Sequence, residues 1–331
     1  MTKIIEVEHL VKKFGDLVAV DDISFEVEEG EIFGFLGPNG AGKTTTINIL
    51  CTLMKPTSGR ATLNGFDVIR QQNQVRHSLG LVFQDPSLDI RLTALQNLKF
   101  HAFVYNIPGA VAKRRIEEIL RMVELWDRRK DEVRNYSGGM RRRLEIARGL
   151  LHYPKVLFLD EPTLGLDPQT RNHIWEYMLE LRKRENITIF LTTHYMDEAT
   201  VADRIAIIDY GKIIALDTPD ALKSMVGGDI VTLKTENAEA AVVEIHDKYN
   251  IEAQYDGDEV FFEIQKGEEF IPTLVNNFKS GLQSISVRRP TLDDVFMKLT
   301  GREIREEAGG STVMMKQWAM RQTRGGGGRF R

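Results

Sequence analysis

Glu31-Ile32-Phe33-Gly34-Phe35-Leu36-Gly37-Pro38-Asn39-Gly40-Ala41-Gly42-Lys43-Thr44 is the stretch from which the rest of the chain can be read. Its first six residues, apolar after Glu31, are a short stretch like a buried strand and run straight into glycine. Residues 37–44 then fit the pattern G-x-x-x-x-G-K-[ST] at every fixed position. The glycines allow a backbone tight enough to point its N–H groups at phosphate oxygens. Helix-like spacing over residues 44–54, ended by Pro56 and Gly59, adds the positive end of a helix behind them. A plain glycine-rich turn would lack the strand before and the helix after. Lys43 can reach the outer phosphates of a nucleoside triphosphate, and the Thr44 hydroxyl can ligate Mg²⁺. Gly37, Pro38, Asn39, Gly40, Ala41, Gly42, Lys43, Thr44 and Thr45 are the candidate phosphate-binding residues.

A triphosphate with its magnesium also needs holding from a second side. Val156-Leu157-Phe158-Leu159-Asp160-Glu161 supplies an apolar strand that ends in two carboxylates. Alone this is a strand leaving a core. Beside a phosphate loop, Asp160 is the candidate magnesium ligand and Glu161 the candidate general base for water.

Around these motifs the periodicity predicts an α/β chain. Residues 4–8 and 23–28 alternate like half-buried strands near an edge, and 79–84, 156–160 and 187–192 read as further strands. Helices are expected at 92–104, 111–124, 141–152 and 172–184, with Lys113, Arg114 and Arg115 on an exposed face. Strands alternating with helices imply a parallel sheet. After about residue 222 the pattern becomes β-α-β-β-α-β: strands at 229–235, 251–255, 259–265 and 283–289, helices at 238–249 and 268–279. Asp256-Gly257-Asp258 is a hairpin turn, and the order is that of a split, ferredoxin-like unit.

The 331 residues suit two domains, at 1–222 and 223–305, with a flexible basic tail at 306–331. That tail carries glycines 325–328 and scattered cations (Lys316, Arg321, Arg324, Arg329, Arg331), a pattern also open to a membrane-surface or nucleic-acid contact. With 42% hydrophobic and 28% charged residues the chain can bury a core, and a net charge of −4 gives no general attraction to nucleic acid. One cysteine, Cys51, excludes an internal disulfide. No run approaches the roughly 18 apolar residues of a membrane span and the N-terminus lacks a signal-peptide core, so a membrane role is expected to need a partner.

Tyr136-Ser137-Gly138-Gly139-Met140 resembles the signature loop of ABC-type ATPases. So does the order of elements: phosphate loop, Gln84 after a strand, Ser-Gly-Gly, Asp160-Glu161, Gly165-Leu166-Asp167, and His194 after another strand. The resemblance covers residues 14–210. It implies a P-loop NTPase fold with a parallel core sheet, antiparallel edge strands and a helical subdomain at about 85–150. It also implies two copies sandwiching two MgATP, with Ser137, Gly138 and Gly139 of one meeting the γ-phosphate held by the other. Gln84 would then touch magnesium and the attacking water, His194 the γ-phosphate, and Asp167 would communicate across the dimer. Phe14 falls where the family places an aromatic ring on adenine, although a core-packing role is open. Met140 and Tyr136 depart from the commoner glutamine and leucine, as in the ATPases of daunorubicin-resistance-type exporters. Pro290-Thr291-Leu292-Asp293-Asp294-Val295-Phe296-Met297-Lys298-Leu299-Thr300-Gly301 resembles the end of that branch's accessory domain.

What this implies is an ATP-hydrolysing subunit at the cytoplasmic face of the membrane, driving a separately encoded multi-span permease. The permease would dock on residues 85–105, where Leu88, Ile90, Leu92 and Phe103 are candidate contacts or core residues. A soluble ABC ATPase acting on ribosomes or DNA is the alternative, but it would call for a second nucleotide domain or a coiled coil. For the C-terminal domain a dimer-stabilising or regulatory role is expected.

Overall fold

The computed structural model describes residues 2–83 and 87–301. Gln84 and the tail from 306 lie outside the described residues. The chain divides into two compact units between Leu216 and Asp217. The break precedes residue 222 because Thr218 caps a helix, Pro219–Ser224, that begins the second unit.

In the first unit the elements run β1 (Lys3–Phe14), β2 (Leu17–Glu28), β3 (Ile32–Leu36), α1 (Lys43–Leu50), β4 (Ser58–Leu63), β5 (Phe66–Asp67), α2 (Gln72–Ser78), β6 (Leu79–Val82), α3 (Ala94–Val104), α4 (Gly109–Met122), α5 (Gly138–Leu150), β7 (Val156–Asp160), α6 (Pro168–Glu185), β8 (Thr188–Thr193), α7 (Met196–Ala199), β9 (Arg204–Asp209) and β10 (Lys212–Asp217). One sheet has the order β10-β9-β3-β8-β7-β6, parallel through β9, β3, β8, β7 and β6, and β9 turns into β10 through Tyr210-Gly211, both at positive φ. A second, antiparallel sheet has the order β2-β1-β4-β5. β3, β7 and β8 are buried along their whole length, as strands covered on both faces must be. Their register sets Phe33, Phe190 and Phe158 side by side, with ring centroids 5.5 and 5.2 Å apart, and Phe25 of the antiparallel sheet stacks on Phe33 at 5.5 Å. This aromatic layer joins the two sheets (edge-tilted and offset pairs contribute beyond their area).

Helix ends follow their caps more closely than the hydrophobic spacing. α5 begins three residues before the expected 141, because the Ser137 hydroxyl accepts the Met140 N–H. α6 starts at Pro168, where Asp167 accepts from the Thr170 N–H. α1 stops at Leu50, short of the expected 54, and Thr52 has turned to φ 62. One surface expectation is corrected. Arg115 is buried, since it shares the inward stripe of α4 with Ala112, Ile116 and Ile119, and its guanidinium lies 3.4 Å from the Tyr153 ring centre. Leu88 is a core residue, whereas Ile90 and Phe103 are exposed. Strands β4, β5, β9 and β10 and helix α2 have no counterpart in the periodicity.

The second unit runs α8 (Pro219–Ser224), β11 (Asp229–Thr235), α9 (Ala238–Tyr249), β12 (Ala253–Asp256), β13 (Glu259–Ile264), α10 (Gly267–Asn277), β14 (Leu282–Arg288) and α11 (Leu292–Thr300). Its all-antiparallel sheet has the order β12-β13-β11-β14, the interleaving expected of a split β-α-β pair. α11 is fastened by a capping box in which Thr291 and Asp294 bond reciprocally, and Asp294 also receives both Arg288 terminal nitrogens at 2.6 and 2.9 Å. Burial works to raise the Asp294 pKa, but Arg288 and the Thr291 N–H hold it below the ordinary carboxylate value.

Arg288→Ala should therefore destabilise the second unit by about 1–2 kcal/mol at pH 7, the low end for a bidentate pair because Arg288 is partly exposed. Asp294 is depressed in the folded state, so this contribution is complete above the unfolded carboxylate value, about 4, and is lost as pH falls through the lower folded value. Urea unfolding of parent and variant should differ at pH 7 and converge as the pH falls below the range in which the folded Asp294 carboxyl is ionised.

Candidate active site

The parallel register decides which residues meet. Leu36 pairs with Thr193, and Thr192 pairs with Asp160. The next residues along, Gly37, His194 and Glu161, therefore leave the sheet side by side, at the carboxyl edge where open α/β sheets bind ligands.

The Lys43 ammonium donates to the Gly37 and Pro38 carbonyls at 2.7 and 3.1 Å and lies 3.8 Å from Glu161 Oε1. His194 Nδ1 is 3.1 Å from the same carboxylate oxygen. Glu161 itself takes φ 46, a left-handed conformation that costs a non-glycine residue on the order of 1 kcal/mol or more. It is kept there by its N–H, which donates to the Thr192 carbonyl at 3.1 Å. Burial lowers the Lys43 pKa against the pull of Glu161 and Asp160. For Glu161 burial acts upward, yet the His194 bond and the Lys43 charge outweigh it and hold the carboxyl below its ordinary value. An ionised carboxylate with a lysine and a histidine beside it can polarise water next to an anion.

Asp160 presents Oδ2 to the Thr44 hydroxyl at 3.3 Å, while its Oδ1 accepts from the Thr192 hydroxyl. Among the described residues no cluster of three or more His, Cys, Asp or Glu could cage a metal. One hydroxyl and one carboxylate instead suit magnesium, which keeps waters and completes its shell with phosphate oxygens. The loop between is built on close approach. A Cβ on Gly37 would lie 2.3 Å from the Ile208 carbonyl, and one on Gly42, at φ 107, 2.4 Å from the Ala19 carbonyl. The N–H groups of Lys43, Thr44 and Thr45 open α1 and have no carbonyl of their own helix to bond.

Ser137, Gly138, Gly139 and Asp167 form a second group, where α5 meets α6. Ser137 and Gly138 are exposed at the start of α5, and Gly139 packs so closely on α6 that a Cβ would meet Thr170 Cγ2 at 2.4 Å. Asp167 is exposed and engaged as the α6 cap, with Thr170 donating both its N–H and its hydroxyl. Phe14 ends β1 with 46% of its surface exposed and the Lys12 ammonium 4.9 Å from its ring centre, so it is not a core residue.

Several supporting residues were not foreseen. Thr192 holds both the Asp160 carboxylate and the Glu161 N–H, and only the strand register reveals it. Glu198 is buried, its pKa raised by that burial, and accepts from the Thr163 and Thr193 hydroxyls on either side of the site, with Arg171 at 3.4 Å. Arg142 and Glu145 form a buried pair behind Glu161.

Residues 20–164 match the ABC transporter family. A daunorubicin resistance ATP-binding protein of Streptomyces coeruleorubidus is 41% identical over 90% of this chain and 95% of its own length. The linearmycin resistance ATP-binding protein of Bacillus subtilis is 37% identical, over 91% of this chain and all of its own. Among solved structures, a dimeric post-hydrolysis state of the ATP-binding cassette MJ0796 bound to ADP and phosphate superposes with a TM-score of 0.59, at 28% identity, over 65% of this chain and 98% of its own. The cbiO1 subunit of Clostridium perfringens gives 0.64 at 26% identity, over 76% and 97%. No described helix is long and apolar enough to cross a membrane.

Gly42→Ala forces a methyl group against the Ala19 carbonyl in a backbone conformation that disfavours any side chain. It should cost about 2 kcal/mol or more of stability, read by chemical denaturation of the purified chain.

Proposed function

This chain belongs to the ATP-binding proteins of ABC transporters, and we propose that it binds and hydrolyses MgATP as the energising subunit of an exporter. The observation that carries the reading is the convergence of Lys43 and His194 on the ionised Glu161 carboxylate, beside the Thr44–Asp160 pair. The phosphates lie on the amides of residues 37–45, with Lys43 leaving its carbonyl partners for the β- and γ-oxygens. Thr44 and Asp160 would hold a magnesium ion, with Gln84 a further candidate ligand, and the ion would supply positive charge against the phosphates. Glu161 accepts the proton of the water that attacks the γ-phosphorus, the bond to the β-phosphate oxygen breaks, and ADP and phosphate result. His194 keeps Glu161 oriented and faces the transferred group. Phe14 offers its open ring to the adenine.

A second copy completes the site. Ser137, Gly138 and Gly139, at the positive end of α5, meet the γ-phosphate held by the partner, and Asp167 lies on the same surface. The dimeric cassettes among the structural relatives support this assembly, and the resistance names of the sequence relatives support export of antibiotic-type molecules through a separate membrane permease. The subunit then works at the cytoplasmic face of the membrane, where exposed Ile90 and Phe103 are available to that permease.

Glu161→Gln should keep MgATP binding, lower kcat by at least about a hundredfold and accumulate an ATP-bound dimer on gel filtration. Undiminished turnover would remove Glu161 from its role. Lys43→Ala should weaken MgATP affinity by roughly 10–100-fold, the worth of a lost charge-assisted bond, measured by nucleotide titration; parental affinity would contradict the loop assignment.

A further inference from the structure

Residues 141–143 are three consecutive arginines, which cannot share a face when successive side chains on a helix are about 100° apart. Arg141 reaches the Val133 and Arg134 carbonyls, and Arg143 the Val123 carbonyl and Glu124. Arg142 turns inward and is 7% exposed. All five of its N–H donors meet an acceptor. Nε donates to the Pro162 carbonyl at 2.5 Å. Nη1 donates to the Phe83 carbonyl at 2.5 Å and to Glu145 Oε2 at 3.0 Å, and Nη2 to the Asp160 and Glu161 carbonyls at 3.1 and 3.2 Å. Glu145, one turn on, accepts the Ser87 N–H at 2.7 Å with its other oxygen. The pair thus grips three successive carbonyls around Glu161 and the chain on both sides of residues 84–86.

We propose that Arg142, with Glu145 as its counter-charge, is a positioning residue for hydrolysis: it locks the helix that opens at Ser137 onto the backbone that carries Glu161. This rests on the sandwich reading above. The α5 end that meets the partner's nucleotide and the carboxylate that attacks the chain's own nucleotide become one rigid piece, so docking of the partner's phosphate on Ser137 sets Glu161. Phosphate binding itself uses α1 and does not pass through Arg142.

Two variants of the full chain test this, Arg142→Lys and Arg142→Gln/Glu145→Gln. The first keeps the charge but offers three donors in place of a planar fork, and the second leaves no buried charge unpaired. The expected result in whichever variant folds is a kcat lowered at least about tenfold, with KM for MgATP within about threefold and a parental melting temperature. Turnover within about twofold of the parent in a folded variant overturns the proposal. So does parallel loss of kcat, MgATP affinity and melting cooperativity in both, which marks a purely structural pair. Each variant is also combined with Glu161→Gln, where MgATP should still drive dimerisation. Failure of Glu161→Gln alone to dimerise would instead sink the sandwich reading, which separates the two results.

Discussion

The register of three parallel strands is the constraint from which the site follows. β3, β8 and β7 are hydrogen-bonded so that Leu36, Thr193 and Asp160 end together. The phosphate loop, Glu161 and His194 are all fed out from that edge. The phosphate loop can turn back over the sheet only because Gly37 and Gly42 let its backbone touch the Ile208 and Ala19 carbonyls. A one-residue slip between β8 and β7 would exchange buried faces and carry Thr192 away from Asp160. The aromatic row Phe33–Phe190–Phe158 resists that slip, since it exists only in the observed pairing. Packing deep in the sheet therefore fixes geometry at its edge.

How much of this was legible depended on whether a residue's role is local. The phosphate loop, the Asp160-Glu161 strand end and the β-α-β-β-α-β order of the second unit are written in contiguous residues, and each element was found near its expected place. Helix starts were misplaced because capping is decided by Ser137 and Asp167, polar residues outside any hydrophobic stripe. β4 escaped notice since its first three residues are exposed and show no alternation. Arg115 and Arg142 were hidden for one reason: a run of basic residues reads as a solvated face, yet a helix turns one member of the run inward. Thr192 acts across a strand neighbour, and Glu198 of α7 reaches back to Thr163 beyond the end of β7, links that no spacing within a single segment can reveal.

The first unit buries Lys43, Arg142, Glu145, Asp160, Glu161 and Glu198 in one region, each 8% exposed or less. Well-packed apolar side chains would serve stability as well or better, because desolvating ions is expensive even when they are paired. What these charges supply is fixity. The Glu161 N–H is taken by Thr192 of β8, its carbonyl by Arg142 of α5, and its carboxylate by His194 and by Lys43 of α1. A backbone at φ 46 persists only when its surroundings over-determine it, and here separate elements do so. Dipoles and charges held this way need no reorganisation as charge develops on a reacting phosphate. The same anchors tie Glu161 to α5 and to its exposed end at Ser137. Its position is thus a property of the joint between β7, β8 and α5, and any motion of that helix is felt at the carboxylate.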